Sequence, residues 1–183
     1  MEIRTSIVWN TDKNIGVSYN KEMESLPSDD DFRCFIDGDA CFTTDFWGKQ
    51  LEDIVSKYKN CGCFVGVTNR IGCLWQRVEG VDWDNNDMAY HRKVGNIMFD
   101  TRYTDITDVS NVPKGEVQGG VLILLKKSVW KRVGGFKENG ILGIDNDLHW
   151  KLQDHNEPVY MMNGVYVYHW YRGGYMTNKK HLL

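Results

Sequence analysis

The chain has 183 residues, of which 42% are hydrophobic and 26% charged, and its formal net charge is −3. This length suffices for one sizeable core, and the composition is that of a folded globular domain rather than a disordered tail. The small negative charge argues against a nucleic-acid-binding surface and against a polybasic membrane patch.

The five cysteines, Cys34, Cys41, Cys61, Cys63 and Cys73, are odd in number and form no Cys-x-x-Cys pair, so neither a zinc ribbon nor a disulfide framework is indicated. Cys34 and Cys63 lie in apolar runs and read as buried thiols. No secretory leader and no apolar stretch of spanning length is read, so a reducing cytoplasm without a transmembrane segment is the expected home. Seven tryptophans and nine tyrosines supply either core packing or apolar platforms for a base or a sugar.

The first apolar run, residues 3–8, is rich in β-branched side chains and reads as a strand. Asn14 is then placed to cap a helix whose apolar face is Ile15, Tyr19, Met23 and Leu26, at steps of one helical turn. Pro27 and the run Ser28-Asp29-Asp30-Asp31 end it, and residues 32–36 form a second strand that breaks at Asp37-Gly38-Asp39. A helix over residues 45–59 follows, with Trp47, Leu51, Ile54, Val55 and Tyr58 inward, and then a short strand at 64–67. Residues 80–117 are polar and irregular, with one helix near 86–94, and are expected to form acceptor-side loops. The continuous apolar run at 120–125 predicts a strand covered on both faces. Helices at 128–133 and 145–155 and a strand or strand pair at 159–169 complete the pattern, leaving 171–183 as a loose tail. Alternating strands and helices without repeats or a linker predict a single α/β domain over 1–183, Rossmann-like, with a mostly parallel sheet flanked by helices. Ligands of such sheets sit at the carboxyl ends of the strands.

Chemistry-bearing residues fall at those ends. Asp37 and Asp39 flank a glycine after a buried strand, which makes either a hard-oxygen site for magnesium or manganese or a simple Asp-Gly turn. Asp145 and Asp147 open a helix, where one aspartate serves the N-terminus and the other can act as a general base. His169 ends the last strand as either a core histidine or a further ligand to the acidic site. Arg172 can reach a phosphate, and Gly173-Gly174 would let the next segment move as a lid. Thr68-Asn69-Arg70-Ile71-Gly72 is either a ligand-holding loop or a turn.

In order along nearly the whole chain, these segments resemble the GT-A glycosyltransferases of family 2. The resemblance rests on Asn14-Ile15-Gly16 with Tyr19-Asn20, on Phe35-Ile36-Asp37-Gly38-Asp39, and on Gly119-Gly120-Val121. It continues in Val129-Trp130-Lys131-Arg132-Val133-Gly134-Gly135-Phe136, Asp145-Asn146-Asp147-Leu148 and Tyr168-His169. It implies an inverting, metal-dependent transfer from a nucleotide-sugar donor, with uridine diphosphate as the default carrier, to a glycan or other hydroxyl acceptor. It further implies Asp39 as the direct metal ligand, Asp37 on the ribose or the metal's water shell, His169 completing the coordination, and Asp145 as the base. The family's acidic neighbour of that base is replaced by Ile144. Two strands and a helix usual before the Asn-Gly segment are missing, so Trp9, Asn10, Thr11, Asp12 and Asn14, with Asn69 and Arg70, are expected to wall the nucleotide pocket. Two other readings compete: a non-catalytic nucleotide- or glycan-binding module, and a nucleotidyltransferase. The latter's Gly-x-Gly-x-Arg loop is absent where this chain has Asn10-Thr11-Asp12-Lys13.

Overall fold

A computed structural model describes residues 1–113, 115–140 and 142–171. The expected tail, with Arg172, Gly173 and Gly174, lies outside the described residues. The elements in chain order are β1 (Ile3–Ser6), α1 (Ile15–Glu24), β2 (Phe32–Ile36), β3 (Ala40–Phe42), α2 (Trp47–Lys57) and β4 (Cys63–Thr68). After a short 3-10 turn (Leu74–Gln76) come α3 (Met88–Arg102), β5 (Ile106–Asp108), β6 (Leu122–Lys126), α4 (Lys127–Arg132), α5 (Ile144–Asp154) and β7 (Val159–His169). No helix among the described residues is long and apolar enough to cross a membrane.

The strands form one seven-stranded sheet in the order β1-β2-β6-β4-β7-β3, with β5 also on β7. The expectation of a mostly parallel sheet is corrected. β1 with β2 and β4 with β7 are parallel, whereas β2 with β6, β6 with β4, β3 with β7 and β5 with β7 are antiparallel. The reason lies in the connections. β6 is reached through an irregular segment rather than a helical crossover, which frees it to enter between β2 and β4 in the opposite direction.

β6 shows how the two faces are covered. Ile123 and Leu125 point into a core with Phe35 of β2 and with Met23, Val129, Leu148 and Leu152 from α1, α4 and α5. Leu122 and Leu124 point the other way, against Leu51, Ile54 and Val55 of α2. The period-two alternation of a strand therefore appears as a continuous apolar run, because both faces are dry. Residues 159–169 form one strand rather than a pair, bent where the β4–β7 register shifts between Gly66 and Val67.

Two short strands, β3 and β5, and most of α3 go beyond the sequence expectation. α3 buries only His91, Gly95 and Met98, a stripe at helical spacing that is mostly not hydrophobic. Asn14 corrects a capping expectation: it occupies the N-cap position of α1, but its side chain makes no cap bond and donates instead to the Glu138 carbonyl, 3.0 Å away.

The Asn14–Gly16 and Tyr19-Asn20 segments and the 129–136 run form one packing unit. A Cβ on Gly16 would lie 1.9 Å from the Lys137 carbonyl oxygen, so only glycine allows that backbone approach. Asn20, 9% exposed, accepts from Trp130 Nε1 at 2.9 Å and from Phe136 N at 2.8 Å, and donates to the Phe136 carbonyl at 3.0 Å. One buried amide thus satisfies both backbone groups of Phe136 and ties α1 to the turn after α4. Tyr19 stacks on Phe136 beside it, with ring centroids 4.8 Å apart. Asn20→Ala leaves both Phe136 groups unpaired in a buried place and is expected to lower the unfolding free energy by ~2–4 kcal/mol. Urea unfolding of the variant checks this; a midpoint equal to that of the unsubstituted protein would refute the staple.

Candidate metal centre and adjoining cavity

Asp37, Gly38, Asp39 and Ala40 form a tight turn, in which Ala40 N donates to the Asp37 carbonyl at 3.0 Å. The backbone makes the turn that the sequence allowed, and both carboxylates line the cavity beyond it. β3 then pairs antiparallel with the end of β7 in a register that sets Ala40 opposite His169, and Trp170 N donates to the Asp39 carbonyl at 2.9 Å. Residues far apart in sequence are brought together by backbone pairing.

His169 is 6% exposed and held from behind. Its backbone N–H donates to Asn69 Oδ1 at 2.8 Å, and its Nδ1 lies 2.6 Å from the Arg70 carbonyl oxygen. A carbonyl only accepts, so Nδ1 carries a proton, and in the neutral ring Nε2 is left with a lone pair. Nε2 lies 3.2 Å from Asp39 Oδ1 and 3.9 Å from Asp37 Oδ2, and one donor atom from each of the three residues falls within a 4.8 Å span. A first-row divalent ion about 2.1 Å from each donor fits that spacing. The donor set is two carboxylates, which suit ions such as manganese and magnesium, and an imidazole with its other nitrogen tied to a carbonyl, which suits ions such as zinc and iron.

The cluster opens on a cavity of about 690 Å³, lined by Asp37, Asp39 and His169 on one side, Ile71–Leu74 and Gly115–Val121 on others, and Leu142, Asp145, Asn146 and Tyr171. Asp145 thus shares the cavity with the cluster. Its Oδ2 accepts from Gly120 N at 2.8 Å and its Oδ1 from Asn146 N at 3.0 Å. Burial raises the Asp145 carboxyl above the usual carboxylate range, and these backbone donors pull against the rise. Asp147 pairs with Lys151 one turn along α5 at 2.8 Å. Ile144 is 5% exposed and belongs to the core, which explains why that position is apolar here.

Asn69 and Arg70 lie 2% exposed and behind His169, not on the cavity wall. The Arg70 guanidinium donates to the Trp83, Asn85 and Trp170 carbonyls and to Asn86 Oδ1, so it ties the 83–86 loop to the end of β7. Trp9 is 82% exposed. Asn10 Oδ1 accepts from Asp12 N at 2.8 Å and from Asn14 N at 3.1 Å, closing the loop before α1 on itself. Trp9, Asn10, Thr11, Asp12 and Asn14 are not among the residues lining the cavity. The walls that do line it, at 71–74 and 115–121, are largely backbone and small residues whose sequence offers little signal beyond the glycine pair Gly119-Gly120. Spacing puts Tyr19 on a helix face, and burial, followed by the charges of Asp37 and Asp145, raises the pKa of its hydroxyl strongly.

A scan against protein-family models finds no match for this chain, and no curated protein matches it.

Asp37 is pushed up to about 6 from 3.8, chiefly by burial, with the charges of Asp39 and Asp145 adding to the rise and His169 opposing it. A carboxyl whose pKa is higher folded than unfolded binds more protons in the native state across that window. Stability of the metal-free protein therefore falls as pH rises from 3.8 to about 6 through this group. Asp37→Asn removes the charge and is expected to raise the melting temperature of the chelator-treated protein at pH 7, an advantage that disappears below the ordinary carboxylate pKa. Melting curves at both ends of the range check this; a variant less stable than the unsubstituted protein at pH 7 would contradict it.

Proposed function

We propose that the chain is a metal-dependent, inverting GT-A glycosyltransferase of the family 2 type, moving a sugar from a nucleotide diphospho-sugar to a hydroxyl acceptor. The observation that supports it best is one cavity with two distinct chemistries. An Asp-Asp-His cluster lies at the ends of β2 and β7, and a separate backbone-bonded carboxylate, Asp145, lies at the start of α5. A cation held by Asp37, Asp39 and His169 would bind the donor diphosphate and neutralise the charge that develops on it as it leaves.

The chain's own groups do the rest. Asp145, ionised and held by two backbone N–H groups, accepts the proton of the acceptor hydroxyl. The freed oxygen forms its bond to the anomeric carbon on the face opposite the diphosphate. The carbon–oxygen bond to the diphosphate breaks, and its electron pair departs with that group. His169 is oriented because its Nδ1 is committed to the Arg70 carbonyl. Uridine is the default base. A second reading, a non-catalytic nucleotide- or glycan-binding module, is favoured by one observation: Asn10, Asn69 and Arg70 spend their polar groups inside the protein rather than on the cavity.

Binding and turnover separate these readings. Calorimetry with uridine diphosphate and manganese is expected to show binding that a chelator removes and that Asp39→Asn abolishes, because a neutral amide is a far weaker ligand. Asp145→Asn is expected to keep that binding while reducing transfer or donor hydrolysis by about 10²-fold or more. Chelator-insensitive binding would sink the metal site, and near-normal turnover in Asp145→Asn would remove that residue from the reaction. Metal-dependent binding with no turnover for any uridine or guanosine diphospho-sugar would leave the binding module.

A further inference from the structure

The base proposed above is oriented by a backbone amide, and that amide belongs to a segment with its own anchor. Gln76, at the end of the 3-10 turn, is completely buried. Its Oε1 accepts from Gly119 N at 2.6 Å, and its Nε2 donates to the Gly66 carbonyl at 3.1 Å and approaches the Gly119 carbonyl at 3.4 Å. Gly66 is where β4 changes register against β7, and its side-chain donor there is Gln76. The next residue after Gly119 is Gly120, whose N–H reaches Asp145 Oδ2 at 2.8 Å.

The approach is close on every side. A Cβ on Gly119 would lie 2.2 Å from Ile71 Cδ1, and one on Gly120 would lie 3.3 Å from Asp145 Cβ. Gln118, just before them, meets α5 at a second point, with Oε1 3.4 Å from His149 Nδ1. The strap 118–120 therefore spans from the bend in β4 to the first turns of α5.

We infer that Gln76 is a positioning residue for Asp145, fixing through Gly119 the peptide whose N–H holds the Asp145 carboxylate toward the cavity. The placement rests on the geometry alone; its consequence for turnover rests on the glycosyl-transfer reading above. A hydrogen bond to the ionised form favours that form. Releasing Gly120 N–H should therefore raise the Asp145 pKa and leave its carboxylate in more than one orientation. Asp37, Asp39, His169, Glu116, Cys73, Tyr171, Tyr19 and His149 are the other titratable groups of this neighbourhood, and the hydrogen bonds of the Gln76 side chain go to the Gly66 and Gly119 backbone.

The test uses the full chain, with aspartate carboxyl carbons isotopically labelled and the Asp145 signal assigned through Asp145→Asn. Gln76→Met keeps volume and removes both polar contacts. Its Asp145 titration midpoint is expected to move up by about one pH unit, with a shifted Gly120 amide resonance. Transfer is expected to lose about tenfold in kcat with donor KM unchanged. Gln76→Glu, neutral when buried, keeps an acceptor for Gly119 N–H and a donor for the Gly66 carbonyl, and is expected to restore the original midpoint. Should Gln76→Met not fold, Gln76→Asn tests the same link, since its shorter amide cannot span Gly66 and Gly119. A folded Gln76→Met or Gln76→Asn protein with the original Asp145 midpoint and Gly120 resonance overturns the inference. A moved midpoint with unchanged turnover upholds the placement and instead counts against Asp145 as the base.

Discussion

Four carboxylates, Asp37, Asp39, Glu116 and Asp145, line one cavity, and His169 stands beside the first two. Water screens such charges poorly in a recess of this kind, and the charges of Asp39 and Asp145 make the ionisation of Asp37 harder. The fold answers the repulsion differently at the two ends of the cavity. Asp145 receives two backbone N–H groups, which stabilise its charge without adding a competing side chain. Asp37 has no such set and rises to about 6, with the nearby His169 only partly offsetting its burial. Extra positive charge beside Asp37, Asp39 and His169 would relieve that repulsion, and for this reason we propose the cluster as a cation site.

That electrostatic arrangement depends on backbone pairing made elsewhere. The register of β3 on β7 decides that Asp39 and His169 meet. Asn69 and Arg70 then hold His169 from its buried side, so a segment expected to touch ligand instead orients a residue that can. Arg70 could not serve both purposes, because its donors are used on the 83–86 loop and the end of β7. On the opposite side, α5 begins where the core needs an apolar residue, Ile144, and where the cavity needs a polar one, Asp145.

The parts of this structure that were legible in the sequence are those governed by local periodicity. Residues 32–36, 47–57 and 122–126 announce themselves because apolar residues recur at the spacing of the element they form. Asp37, Asp39, His169 and Asp145 were legible as a group because strand ends and a helix start are places where polar groups concentrate. What was hidden depends on contacts across the sheet. α3 buries a histidine and a glycine where periodicity looks for leucines, β3 and β5 exist only by pairing with β7, and strand direction is a property of connections rather than of composition. Gln76 left no trace in the sequence, since a buried glutamine looks like an exposed one until its partners are known.

The segments on which the family resemblance rests divide into two kinds, and the division bears on how far it reaches. Asn14, Gly16, Asn20, Trp130 and Phe136 meet one another and the core, not the cavity. They describe how α1 is fastened to the turn after α4, a packing solution that serves any ligand equally well. Asp37, Asp39, Gly120, Asp145 and His169 meet the cavity and constrain chemistry. On the proposed reading, the second set would hold a cation against the diphosphate and supply a base for the acceptor hydroxyl. Neither reads a nucleobase. The loop 9–14, where base recognition was expected, closes on itself through Asn10 while Trp9 stands exposed beside it. The proposed reading therefore says more about reaction type than about donor identity, because a metal-bound diphosphate would look the same to Asp37, Asp39 and His169 whichever base it carried.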